Sequence, residues 1–277
     1  SGRMSGTYNE RSNLIAVSFY PGSEGINRFS SAQTFAPGQY RRWFLAVERH
    51  VEYLRFSGHN AVCHGLYQYI KEEVPTGKGQ TDYIAIMLDM YHANNIDFYG
   101  NVEYLTSEPL EGGTLSHKVK SLRVSDAQVA EGADTCRLVS GKGAQAVDEK
   151  FNNPCHPELT KDVSGIFETF GQRYGGHPAF KGVMVFEGTM GCSLNFKSPE
   201  YGYDDCSYNA FRSESKPDAP AFEGKDRFQK RQEWIKATCA GDWEAFRCRK
   251  VYELNKRLAG ILRKHSPQSK LLVNLCA

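Results

Sequence analysis

The chain has 277 residues, of which 40% are hydrophobic and 24% charged, with a formal net charge of +2; these are the proportions of a globular protein. No dense Lys/Arg block is present to displace counterions from a duplex, which argues against nucleic acid as a partner. No apolar run approaches the ~20 residues of a membrane span, and Ser1-Gly2-Arg3-Met4 lacks a signal peptide's apolar core, although residues ahead of Met4 leave export to the periplasm or medium open.

In chain order, a unit of helix, short loop and apolar strand recurs. Residues 13–20, "NLIAVSFY", read as a first strand. The stretch "QYRRWFLAVERHVEYLRFSG" places Trp43, Phe44, Val47, Val51 and Leu54 at helical spacing and stops at Gly58. "NAVCHGLYQY" is the second strand, "DYIAIMLDMYHANN" a helix capped by Asp82, and "IDFYGNVEYL" the third strand. Residues 106–150, rich in Gly, Ser, Lys and Asp, interrupt the rhythm. Their weak strand signals, "HKVKSLRV" and "TCRLVSG", predict a hairpin-bearing lid over the mouth of the sheet. Next comes a helix with Pro157 and Glu158 in its first turn and Val163, Ile166, Phe167 and Phe170 on its buried face. "FKGVMVFEG" reads as a fourth strand, buried on both faces because its apolar run is unbroken. Helical segments fill Asp226 to Lys264 with a break near Ala240-Gly241, Trp234, Trp243 and Phe246 falling at core spacing, and "KLLVNLCA" is the fifth strand.

Alternating strands and helices predict an α/β fold with a parallel sheet and outer helices, since parallel neighbours need a crossover. The loops that leave strand ends (21–37, 68–81, 106–155, 189–225) are the long ones, as in a (β/α)8 barrel whose C-terminal face carries the site. A doubly wound sheet is the alternative, but the first strand-to-helix turn has no G-x-G-x-x-G. About five βα units are visible, so the expectation is one barrel domain over residues 1–277, incomplete or part of a larger chain, with an insertion at 106–150. Five strands leave open edges, which a homodimer or the rest of a larger chain would cover.

The eight cysteines contain no C-x-x-C pair, which predicts mostly reduced structural thiols, or one bridge among Cys192, Cys206 and a loop neighbour. Neither a metal centre nor a cofactor is expected.

The strings "QYRRWFLAVERHVEYLRFSGHNAV", "NPCHPELTKDVSGIFETFGQRYGGHPAFKGVM" and "RFQKRQEWI" with "DWEAFRCRKVYELNKRLAGILRKHSP" resemble glycoside-hydrolase-like barrels of large bacterial proteins, distantly similar to β-galactosidase-type barrels. That resemblance implies a (β/α)8 catalytic domain acting on carbohydrate, with an acid/base carboxylate at the tip of the fourth strand and a nucleophile at the tip of the seventh. Glu187 matches the first position; no residue matches the second.

Common glycoside hydrolysis needs two carboxyl groups, one to protonate the leaving oxygen and one to attack or to activate water. Glu187 and Glu103 end the fourth and third strands and are the candidate pair; the alternative for each is an exposed charge or a partner for an arginine such as Arg247. His64 and Tyr67 near the end of the second strand, and Asn274 on the fifth, are candidate sugar ligands, His64 being equally readable as a core histidine. In "YGYDDCSYNAF", Tyr203, Asp204, Asp205 and Tyr208 suit a carbohydrate cleft, because aromatic rings stack on sugar faces and carboxylates accept hydroxyl hydrogens. The competing reading of that stretch is a turn with a helix cap. Arg247 either runs inward to a carboxylate or covers the helix surface. The expectation is a glycoside hydrolase acting on a poly- or oligosaccharide through strand-tip carboxylates. The alternative is a non-catalytic carbohydrate-binding barrel or an inactive part of a larger glycosidase, and a metal-dependent hydrolase ranks third because "SFYPG" offers no histidine pair.

Overall fold

A computed structural model of the chain describes residues 17–20, 39–65, 82–102, 124–143, 151–186 and 194–274. Among these, β1 (Val17–Tyr20), β2 (Ala61–Gly65), β3 (Asp97–Val102), β4 (Phe180–Phe186) and β5 (Lys270–Asn274) form one sheet in the order β1-β2-β3-β4-β5. The first three neighbouring pairs are parallel. A doubly wound sheet reverses direction about a switch point; this order never reverses, which is the singly wound sequence of a barrel. Ala61, Val62 and Cys63 are each fully buried. Because successive strand residues point to opposite faces, the sheet is covered on both sides there.

The chain divides into two compact units, one comprising residues 1–103, 168–185 and 261–273 and the other residues 104–167, 186–260 and 274–277.

The first unit holds the sheet with α1 (Gln39–Phe56) and α2 (Tyr83–His92). Val47, Val51 and Leu54 form the buried face of α1. The helix ends where Gly58 takes φ 76°, a left-handed conformation that lets His59 N donate to Leu54 O at 2.8 Å. Asp82 caps α2 by accepting from Ala85 N at 3.1 Å, and it also accepts from Arg173 Nε at 2.8 Å and Tyr174 Oη at 3.0 Å. One carboxylate thus starts a helix and anchors the end of another. Hydrogen bonds from Lys264 and His265 hold the half-buried Glu168 carboxyl down to about 2.

Between β3 and β4 the register jumps from Phe98↔Phe180 to Tyr99↔Gly182, so Lys181 is the extra residue of a bulge. Gly182 sits at φ 145°, where a Cβ would collide with the Lys270 carbonyl of β5.

The second unit holds α3 (Asp126–Ala130), most of α4 (Pro157–Tyr174), α5 (Asp205–Glu214), α6 (Arg227–Thr238) and most of α7 (Ala240–His265). Its core is aromatic: Phe151, Phe196, Tyr203, Tyr208, Phe211, Phe228, Trp243 and Phe246 are buried together, with Trp234 packed against them. The separation of α6 from α7 at Cys239 falls beside the expected break. The described part of the excursion is integral to this unit, since Val129, Leu138 and Val139 belong to the same core. The strand expected at 135–141 is corrected to isolated bridges, Arg137↔Asn152 and Ser140↔Tyr201. Neighbouring residues there pair with different segments, so no continuous ladder can form. Residues 117–123 lie outside the described residues. Cys63, Cys136, Cys155, Cys206, Cys239 and Cys248 carry free thiols.

Candidate active site

The apolar run of the fourth strand behaves as its sequence demands. Val183 and Val185 are 0% and 1% exposed, and Met184 packs with Ala61, Cys63 and Tyr99. The Cys63 thiol donates to Met184 Sδ at 3.7 Å, while burial pushes the Tyr99 hydroxyl up to about 12. In the sheet register Asn101 pairs with Met184 and Val102 with Val185. The backbone therefore leaves two adjoining parallel strands at the same end and nearly the same level, immediately before Glu103 and just before Glu187. Glu103, Glu187 and Tyr67 themselves lie outside the described residues. His64 is within β2, in register with Gly100 of β3, and Asn274 is the last residue of β5.

The other candidates belong to the second unit. Tyr203 is 1% exposed, donates from its hydroxyl to Pro199 O at 2.8 Å and stacks on Trp243 with ring centroids 5.8 Å apart. Gly202, at φ 101°, brings the backbone against Phe196 and Trp243. Asp204 is buried as the N-cap of α5: it accepts from Ser207 N at 2.8 Å, from the Ser207 hydroxyl at 3.1 Å and from Asn153 Nδ2 at 2.7 Å. Burial pushes its carboxyl up to about 6 against the opposing pull of the Ser207 hydrogen bonds.

Asp205 accepts from Arg227 Nε at 2.9 Å and pairs with Arg231 at 2.6 Å. Burial raises its pKa, but the two guanidinium groups outweigh this and leave it below the ordinary value. Arg227 also donates to the Val129 and Ala130 carbonyls, and Arg231 to the Tyr203 carbonyl. Arg247 donates to the Phe196 and Ser198 carbonyls and lies over the Phe196 ring.

Of the two readings of this stretch, the packing follows the turn with a helix cap: Tyr203 and Asp204 are both interior, the ring completing an aromatic stack and the carboxylate capping a helix. Arg247 and Asp205 stand one layer further out, bracing the 194–205 segment through backbone carbonyls and arginines. Sequence reasoning missed Asn153, Ser207, Arg227 and Arg231. Ser207, three residues after Asp204 at a helix start, carried a readable capping signal, as did Arg227 and Arg231 by their i, i+4 spacing. Asn153 is distant in sequence and carried none. Among the described residues no group of three or more His, Cys, Asp or Glu side chains is placed to hold a metal ion, and no helix is long and apolar enough to cross a membrane.

No family model matches the chain, and no curated protein matches it. Solved structures do. A catalytic mutant of a GH42 β-galactosidase from G. stearothermophilus superimposes with a TM-score of 0.57 at 15% identity, covering 97% of this chain and 36% of that one. A β-galactosidase from Rahnella sp. R3 gives 0.54 at 17% identity over 88% of this chain and 35% of that one. The catalytic domain of a β-amylase from Paenibacillus polymyxa gives 0.54 at 9% identity, covering 87% of this chain and 63% of that one. At such identities the likeness is one of fold: an α/β architecture of the (β/α)8-barrel type, distantly similar to these glycosidase barrels. The chain spans about a third of the length of the β-galactosidases it matches.

Proposed function

We propose that the chain is a glycoside hydrolase, or the strand-tip portion of one, acting on a poly- or oligosaccharide. Glu187 serves as the acid/base and Glu103 as its neighbouring carboxylate; His64, Tyr67 and Asn274 bind sugar hydroxyls. The observation that carries this reading is the β3–β4 register, Val102↔Val185, which sends two Glu-bearing segments off adjoining strand ends. Neighbouring strands lie about 4.8 Å apart, and the two carboxyl groups of glycosidases are separated by about 5 to 9.5 Å, so adjoining tips are a fitting pair of posts. The strand tips at the C-terminal face are also where this fold keeps its chemistry. Likeness to β-galactosidase and β-amylase barrels supports a carbohydrate substrate.

Reducing-sugar release from a panel of β- and α-linked oligosaccharides, followed together with binding of the same sugars by calorimetry, tests this. Release from at least one member supports hydrolysis. Sugar binding without release supports the non-catalytic alternative, and neither binding nor release overturns the carbohydrate reading.

A further inference from the structure

The outward side of α1 carries a stripe that the fold leaves unused. Leu45, Arg49, Glu52 and Phe56 follow one another at spacings of four, three and four residues, which stacks them on one face of a helix. All four are exposed, Phe56 at 81%, and Tyr53 at 55% flanks them. The opposite face, Val47, Val51 and Leu54, is core. Among the described residues neither the Arg49 nor the Glu52 side chain makes an ion pair or a hydrogen bond.

We propose that this stripe docks a second copy of the same chain, with the two α1 helices packed antiparallel about a twofold axis at the level of the His50–Val51 peptide. A twofold contact must be self-complementary, residue for residue, and this stripe is. In that register Leu45 faces the partner's Phe56, and Arg49 faces the partner's Glu52. Each contact is made twice. The order apolar, basic, acidic, apolar is what makes an antiparallel pairing match both kinds of group at once; a parallel pairing would set Arg49 beside the partner's Arg49. The contact also relieves a strain within one helix, because Glu48 and Glu52 are like charges at i, i+4 and the partner's Arg49 would lie beside them. The 18-residue helix is about 27 Å long, and one helix face falls short of the ~800 Å² per partner of a standard interface. The dimer is accordingly a weak, concentration-dependent one.

Sedimentation velocity of the full chain from about 5 to 200 µM tests this, a range set by the micromolar affinity of a small interface. The wild type should move from monomer toward twice the monomer mass, and Phe56→Asp should remain monomeric throughout. Arg49→Glu alone and Glu52→Arg alone should each associate at least about tenfold more weakly, since each places like charges opposite one another. An equimolar mixture of those two variants should recover association, because each then meets its complement. All these positions are exposed, and matched thermal midpoints would verify folding. A wild type that stays monomeric overturns the proposal. So does association that Phe56→Asp leaves intact, or a charge-reversed mixture that associates no better than its components.

Discussion

Asp204 shows how one buried carboxylate can shape the pH response of the whole chain. It has hydrogen-bond donors from Asn153 and Ser207 but no cation in direct contact among the described residues, and burial lifts its carboxyl to about 6. A carboxyl whose folded pKa is raised binds protons more tightly folded than unfolded. The stability linked to it is complete below about 4 and is lost as the pH rises through about 6. His50 acts in the opposite sense: burial, with repulsion from His59, lowers it to about 4. Its stabilising neutral form is kept above about 6.5, and that contribution is lost as the pH falls toward 4. A raw stability curve mixes the two. Asp204→Asn separates them, since the amide keeps an oxygen for Ser207 N–H and Asn153 while removing the charge. Relative to wild type, this variant should gain about 1–3 kcal/mol between pH 4 and pH 7, measured as the difference in urea midpoints. Parallel curves for the two proteins would contradict the assignment. Asp204→Ala, which loses the cap, should be less stable by about 1 kcal/mol at low pH.

At the scale of elements, the bulge in β4 is a constraint as firm as any core contact. Gly182 at φ 145° has no room for a methyl beside Lys270 O, so Gly182→Ala should cost roughly 3 kcal/mol or more through strain and steric conflict. Thermal melts would show it, and a midpoint within a degree of wild type would count against the bulge. This glycine illustrates where sequence reading stops. The strands around Ala61–Gly65, Asp97–Val102 and Phe180–Phe186 were legible because unbroken apolar runs and alternating helices admit few topologies. Asp82 was legible as a cap, and Val163, Ile166, Phe167 and Phe170 as a buried face, because those patterns are local. The bulge depends on a neighbouring strand 88 residues away, between Gly182 and Lys270. Polar residues such as Tyr203, Asp204 and Asp205 left two readings open for a related reason: the same composition serves a sugar cleft or a turn with a helix cap, and the cap at Asp204 becomes visible only with Asn153 and Ser207 packed around it.

For the molecule as a whole, the order of the strands and the likeness to glycosidase barrels place a (β/α)8-type architecture under a proposed hydrolytic site. Within the second unit, the aromatic core together with Arg247 and Arg231, which donate to the Phe196 and Tyr203 carbonyls, fixes the course of the 194–205 segment. In this fold the strand tips at the C-terminal face are where the chemistry is kept. Glu187 therefore bears the decisive test: the turnover number of wild type and of Glu187→Gln, measured side by side on the best oligosaccharide substrate with thermal midpoints recorded for both. If Glu187 is the acid/base, turnover should fall by about 10²–10⁴ while the midpoint and sugar binding stay nearly unchanged. Undiminished turnover in the Glu187→Gln protein would contradict catalysis at this strand tip.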